Sequence, residues 1–133
     1  MGIFPQLGEI LYAYDTASFD SKDKMFIVVA CTQTEFATVY INTNINPNLF
    51  KTPEARAAHY QVKKVNNGFL RYDSYIDCSD IKQRKVEEWR NNILAKPSIR
   101  FSQLNATDLI AIQKILRAST TIKPKLMIKY SLK

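Results

Sequence analysis

Apolar residues in this chain come in alternating or short continuous runs as far as Cys78, and fall at helical spacing from Asp80 onward. Side chains alternate across a strand and recur every three to four residues on a helix, so the change of beat marks a change of structure. Strands first and helices last argue an α+β architecture: a small antiparallel barrel or curled sheet with helices packed at one end. The 133 residues suit one domain, 1–133, with a strand-built part over about 8–78 and a helical part over about 80–133.

In order, Gly8–Tyr14 reads as a first strand and Asp15–Lys24 as a polar loop. Met25-Phe26-Ile27-Val28-Val29-Ala30-Cys31 is a continuous apolar run, the pattern of a central strand buried on both faces. Thr32–Glu35 turns the chain into a partner strand, Phe36–Asn42. Asn44, Asn46, Pro47 and Asn48 mark turns, and Thr52-Pro53 opens one or two helical turns. Tyr60–Val65 is a strand, Asn67-Gly68 a tight hairpin turn, and Phe69–Tyr72 and Ser74–Cys78 two short strands. Five or six short strands suit an SH3-like barrel better than a sandwich.

From Asp80, Val86, Trp89 and Ile93 share a helix face capped by Ser79 or Asp80 and stopped by Pro97, with Arg84, Lys85 and Glu88 outside. A second helix starts at the N-cap Asn105 and buries Leu109, Ile112 and Leu116. Leu126–Tyr130 fits a last strand or a short helix equally well. No apolar run approaches the ~20 residues of a membrane span, and the first 20 residues lack the basic start of a secretory signal. The cytoplasm is the expected location, with Cys31 and Cys78 as buried reduced thiols inside strands. Three glycines form no phosphate-binding loop, and a lone His with no C-x-x-C pair gives no metal site and no cofactor.

Charge divides the chain. Residues 1–80 hold 7 Lys+Arg against 9 Asp+Glu, and residues 81–133 hold 12 against 3, which together give the net +7. Such an asymmetry points to nucleic acid or to an acidic protein as partner.

Gly8-Glu9-Ile10, the apolar strand Phe26–Ala30, Tyr40-Ile41-Asn42-Thr43-Asn44, and Phe69-Leu70 followed by Asp73-Ser74-Tyr75-Ile76-Asp77 resemble the strand layout of PemK/MazF-type (Kid-like) toxins, over about residues 8–90. The resemblance implies an SH3-like barrel, a homodimer, an acidic antitoxin, and a metal-independent, sequence-specific endoribonuclease that hydrolyses single-stranded RNA. Cleavage without metal needs a proton acceptor, a proton donor and a cation for the developing phosphorane charge. His59, Asp73 and Arg71 are the residues for those roles, with Ser74 as a hydrogen-bond donor. Tyr12, Tyr14, Tyr40, Tyr60, Tyr72 and Tyr75 lie on strands, where they can stack unpaired bases or line the edge of the core. Lys63, Lys64, Lys82, Arg84 and Lys85 are the cations expected to follow the phosphate backbone.

Two departures from the family pattern support an alternative. Lys24-Met25 stands where the family carries Arg-Pro, and Cys78-Ser79-Asp80 where it carries Gln-x-Arg. The alternative is a non-catalytic interaction protein on the same barrel, holding nucleic acid or an acidic protein partner through its basic C-terminal half.

Overall fold

The computed structural model describes residues 3–15, 22–43 and 50–132. Seven strands form one antiparallel sheet: β1 (Glu9–Asp15), β2 (Lys22–Cys31), β3 (Glu35–Asn42), β4 (His59–Val62), β5 (Ser74–Asp77), β6 (Lys82–Lys85) and β7 (Arg100–Gln103). Four helices accompany them: α1 (Pro53–Ala57), α2 (Val86–Ala95), α3 (Ala106–Arg117) and α4 (Pro124–Lys129). The strand order is β4-β5-β3-β2-β1-β7. Long β3 serves two partners, β6 along its first half (Phe36↔Arg84) and β5 at its end (Ile41↔Ile76).

The apolar run in β2 sets the layering. Phe26 and Val28 point to one face, where Phe36, Val86, Trp89 and Ile93 pack against them from β3 and α2. Ile27 and Val29 point to the other, against Ile112 and Leu116 of α3 and Met127 of α4. A strand apolar on both faces needs cover on both, so the helices lie on opposite faces of the sheet instead of together at one end.

The sheet curls until its two edges face each other. The β4–β5 connection leaves one edge and β7 forms the other, yet the rings of Phe69 and Phe101 are 6.2 Å apart. In the same connection Asn67 is buried: its Nδ2 donates to Asp108 Oδ2 (2.8 Å), and its Oδ1 accepts from the Asn105 amide (2.9 Å). Side chains of residues 63–73 thus clasp the two edges together where no strand pairing does.

Several elements differ from the sequence expectation. Asn67-Gly68 makes no hairpin turn: Asn67 has φ −142°, and Gly8 at +83° is the positive-φ glycine among the described residues. Phe69–Tyr72 is loop, because Leu70 enters the core and Phe69 turns to Phe101. Lys82–Lys85, expected as the start of a helix, is β6; it supplies hydrogen bonds to the first half of β3, and that pairing overrides its helical propensity. The helix therefore begins at Val86, and no side chain caps it. β7 was not anticipated, and residues 126–130 belong to helix α4 and the turn after it. Cys31 ends β2 exposed, while Cys78 is buried. The Thr52 and Asn105 caps stand as expected. Of the expected Asp15–Lys24 loop, residues 16–21 lie outside the described residues, as do the turn residues Asn44 to Asn48.

Candidate nucleic-acid interface

Alternation along β1 places Ile10, Tyr12 and Tyr14 on one face of the sheet. Ile10 is covered by the α3 side of the core. Tyr12, two residues on, lies beyond that cover and is 44 % exposed; Tyr14 is 61 % exposed. The Tyr12 ring centroid is 5.8 Å from that of Phe101, itself 48 % exposed, and Phe69 closes on Phe101 from the clasp, nearly perpendicular at 88°. Residues from β1, β7 and the 63–73 loop thus converge on an open aromatic platform. Closing the clasp requires Phe69 and Phe101, whereas Tyr12 and Tyr14 leave faces toward solvent that closure does not use.

The loop that delivers Phe69 is basic. Lys63, Lys64 and Arg71 are exposed, and no ion pair occupies any of them among the described residues. Asp73, in the same loop, accepts from the Lys64 amide at 2.9 Å and so braces the backbone rather than neutralising a cation. Asp108 holds the loop from below through Asn67 and also accepts from the Tyr60 hydroxyl at 2.7 Å. That bond, aided by burial, raises the Tyr60 phenol above its ordinary value.

The residues proposed for cleavage are placed apart. His59 opens β4 with its ring fully buried, against Phe50 at 4.4 Å. Its Nδ1 is 2.9 Å from the Ala55 carbonyl, which only accepts, so Nδ1 carries the proton. Its Nε2 lies 3.7 Å from Asp77 Oδ1 and has no hydrogen-bond partner among the described residues. Asp77 faces His59 in the ladder, whereas Ser74 faces Val62 three residues along, roughly 10 Å away. Ser74 is buried and donates to the Tyr72 carbonyl at 2.9 Å, the bond of a turn residue. Arg71 and Asp73 lie exposed in the loop beyond Ser74, on no shared strand. His59 is therefore not brought to Arg71, Asp73 or Ser74.

The expected cations also separate. Arg84 is a correction: it is buried and meets no solvent phosphate. Its guanidinium donates to both oxygens of Asp15, at 2.7 and 3.0 Å, and to Thr38 Oγ1 at 2.9 Å. It also lies 4.0 Å from the Phe26 ring centroid and 5.6 Å from that of Trp89. Tyr40 adds a hydrogen bond to Asp15 at 2.5 Å; its phenol is raised by burial and by that bond. Lys82 makes a rim pair with Asp80 at 3.8 Å. Lys85 borders an open cleft of about 360 Å³ with Glu35, Glu87 and Arg90, a mixed-charge wall. Both lysines sit on β6, separated from β1 by β3 and β2.

Sequence reasoning named Tyr12 and Tyr14 but missed Phe69 and Phe101 as their neighbours. Arg100-Phe101-Ser102-Gln103 has a single apolar residue and so no alternation that would mark β7 from the sequence. Among the described residues no cluster of His, Cys, Asp or Glu could hold a metal ion, and no helix is long and apolar enough to cross a membrane. No protein-family model and no curated protein matches this chain.

Proposed function

We propose that this chain binds single-stranded RNA on an SH3-like barrel of the PemK/MazF type, with Tyr12, Tyr14 and Phe101 stacking bases and Lys63, Lys64 and Arg71 holding phosphates. The observation that carries this reading is the exposed aromatic platform on a loop-bordered sheet face, flanked by exposed cations without ion-pair partners. Single-strand sites combine the same two features, flat rings for any base and a basic border for the backbone.

A specific observation favours the non-catalytic form. Cleavage requires a general base within hydrogen-bond reach of the 2′-hydroxyl. His59 is sealed in the β4–α1 junction and stands apart from Arg71 and Asp73. This placement favours binding without cleavage.

The experiment is a labelled RNA incubated with the protein in EDTA, read on native and denaturing gels. The expected result is a shifted but intact strand. Tyr12→Ala weakens the shift about 5- to 150-fold, the loss of one stacked base at ~1–3 kcal/mol. Discrete fragments that disappear with Arg71→Ala would make the chain an endoribonuclease. No shift at all would remove the RNA reading and direct attention to an acidic protein partner.

A further inference from the structure

The last 25 residues, 109–133, contain no Asp or Glu at all. The cations of the basic half differ in engagement; Lys85, Arg90 and Lys96, which lie outside α3 and α4, also form no ion pair among the described residues. Lys82, Arg84, Arg100 and Lys129 are engaged with Asp80, Asp15, Glu9 and Glu35. Lys114, Arg117, Lys123 and Lys125 are exposed and form no ion pair among the described residues. Their placement follows from α3. Ile112 and Leu116 turn into the core and Asp108 turns to Asn67 and Tyr60. Thr107, Ile110, Lys114 and Arg117, spaced three, four and three, are left as the outward stripe. Lys123 and Lys125 follow in the sequence, at the N-cap and the second residue of α4.

The helix that bears the stripe is joined to the platform through β7. Phe101 lies on β7, which runs directly into the Asn105 cap of α3, and Asn67 ties that cap to the loop carrying Phe69. Twelve helical residues carry it ~18 Å from there. At the stacked spacing of ~3.4 Å that is the length of roughly five nucleotides.

We infer that the outward face of α3, with Lys114 and Arg117 followed by Lys123 and Lys125, is a phosphate track that continues the aromatic platform and carries the backbone of the same single strand. The inference rests on the platform being a single-strand site. A polymer with flat rings at one end of its footprint and regular negative charge along the rest matches both features. An acidic polypeptide supplies the charge but nothing for Tyr12, Tyr14 and Phe101. The track also gives a role to cations that the folded chain leaves unneutralised, at a position none of the sequence-predicted cations occupies.

Salt dependence separates the track from the platform. Each phosphate neutralised on a single strand contributes about 0.7 to the slope of log K against log salt. Fluorescence anisotropy with a labelled 12-nucleotide RNA is measured across a salt series for the parent, for Lys114→Gln/Arg117→Gln and for Tyr12→Ala. The double variant is expected to lower the slope by about 1.4, while Tyr12→Ala weakens binding at an unchanged slope. With a trinucleotide, which reaches only the platform, the double variant is expected to match the parent. An unchanged slope in the double variant, with Tyr12→Ala still weakening binding, overturns the track and leaves the platform standing. A lowered slope with no effect of Tyr12→Ala overturns the platform reading and the track with it. Displacement of the RNA by polyglutamate at equal charge concentration overturns the track in favour of an acidic polypeptide site.

Discussion

Arg84 shows how one side chain can carry two incompatible expectations. By sequence it is one of several cations beside a helix. In the fold it is 4 % exposed, across from Asp15 at 3 %, with Thr38 and two aromatic rings completing its surroundings. Taking both ions out of water costs several kcal/mol, offset by the two-pronged contact and the remaining hydrogen bonds. Removing Arg84 takes away the guanidinium that faces both carboxylate oxygens of the buried Asp15. Arg84→Met is therefore expected to destabilise the protein by about 3–5 kcal/mol. Adding Asp15→Leu should recover most of that loss, because an apolar pair needs no compensating charge. Urea unfolding of the two variants checks this; equal stability of the single and double variants would mean that the ion pair is uncoupled.

At the scale of elements, the turn chemistry divides between two glycines. An Asn-Gly hairpin requires φ > 0, but residues 63–73 form a clasp instead, and Gly68 sits outside the left-handed region. A Cβ at Gly68 meets nothing within 4 Å. Gly8 has φ +83°, and a Cβ there falls 2.5 Å from the Gln103 amide nitrogen and 3.0 Å from Leu109 Cδ2. Its amide and carbonyl also bridge Val28 and Leu104, joining β2 to the start of α3. Gly68→Ala is expected to be neutral or to stabilise by up to ~1 kcal/mol through the unfolded chain. Gly8→Ala should destabilise by about 1–2 kcal/mol from the backbone strain alone. Thermal melts distinguish the clasp from a hairpin, in which Gly68→Ala would destabilise the protein as Gly8→Ala does. The local elements that sequence reading placed correctly are those with a local cause: the β2 run, the Thr52 and Asn105 caps, and the Val86, Trp89, Ile93 face. β6 and β7 escaped it because four polar-rich residues acquire strand geometry only from the neighbour they pair with.

Over the whole molecule, the core makes stability fall in alkali. Burial, with the nearby Asp77 charge, pushes the Cys78 thiol up to about 12. Burial, with the Glu35 and Cys31 charges, pushes the Tyr130 phenol up to about 12. Unfolded, these groups ionise near ~8.5 and ~10. The folded chain holds more protons across that interval, so the stabilisation is complete below the unfolded values and is lost as pH rises toward 12. The urea midpoint is expected to drop steadily between pH 9 and 11, and Tyr130→Phe should make that drop shallower. A midpoint independent of pH over this range would contradict the burial of both groups. Tyr130 also donates to Gln83, so α4 and β6 share this alkaline weakness.

The sequence by itself determined that the chain combines strands with helices as an α+β fold, that β2 is central, and where α1 and α3 begin. Those features arise from contacts two to four residues apart, and residue types carry them openly. Only the tertiary structure decided which cations are engaged and which face water, that Phe69 reaches Phe101, and that His59 stands apart from Ser74. These depend on partners far along the chain, Asp15 with Arg84 across 69 positions and Asn67 with Asp108 across 41. Curling the sheet brings such pairs together, and no spacing rule in the sequence encodes the curl.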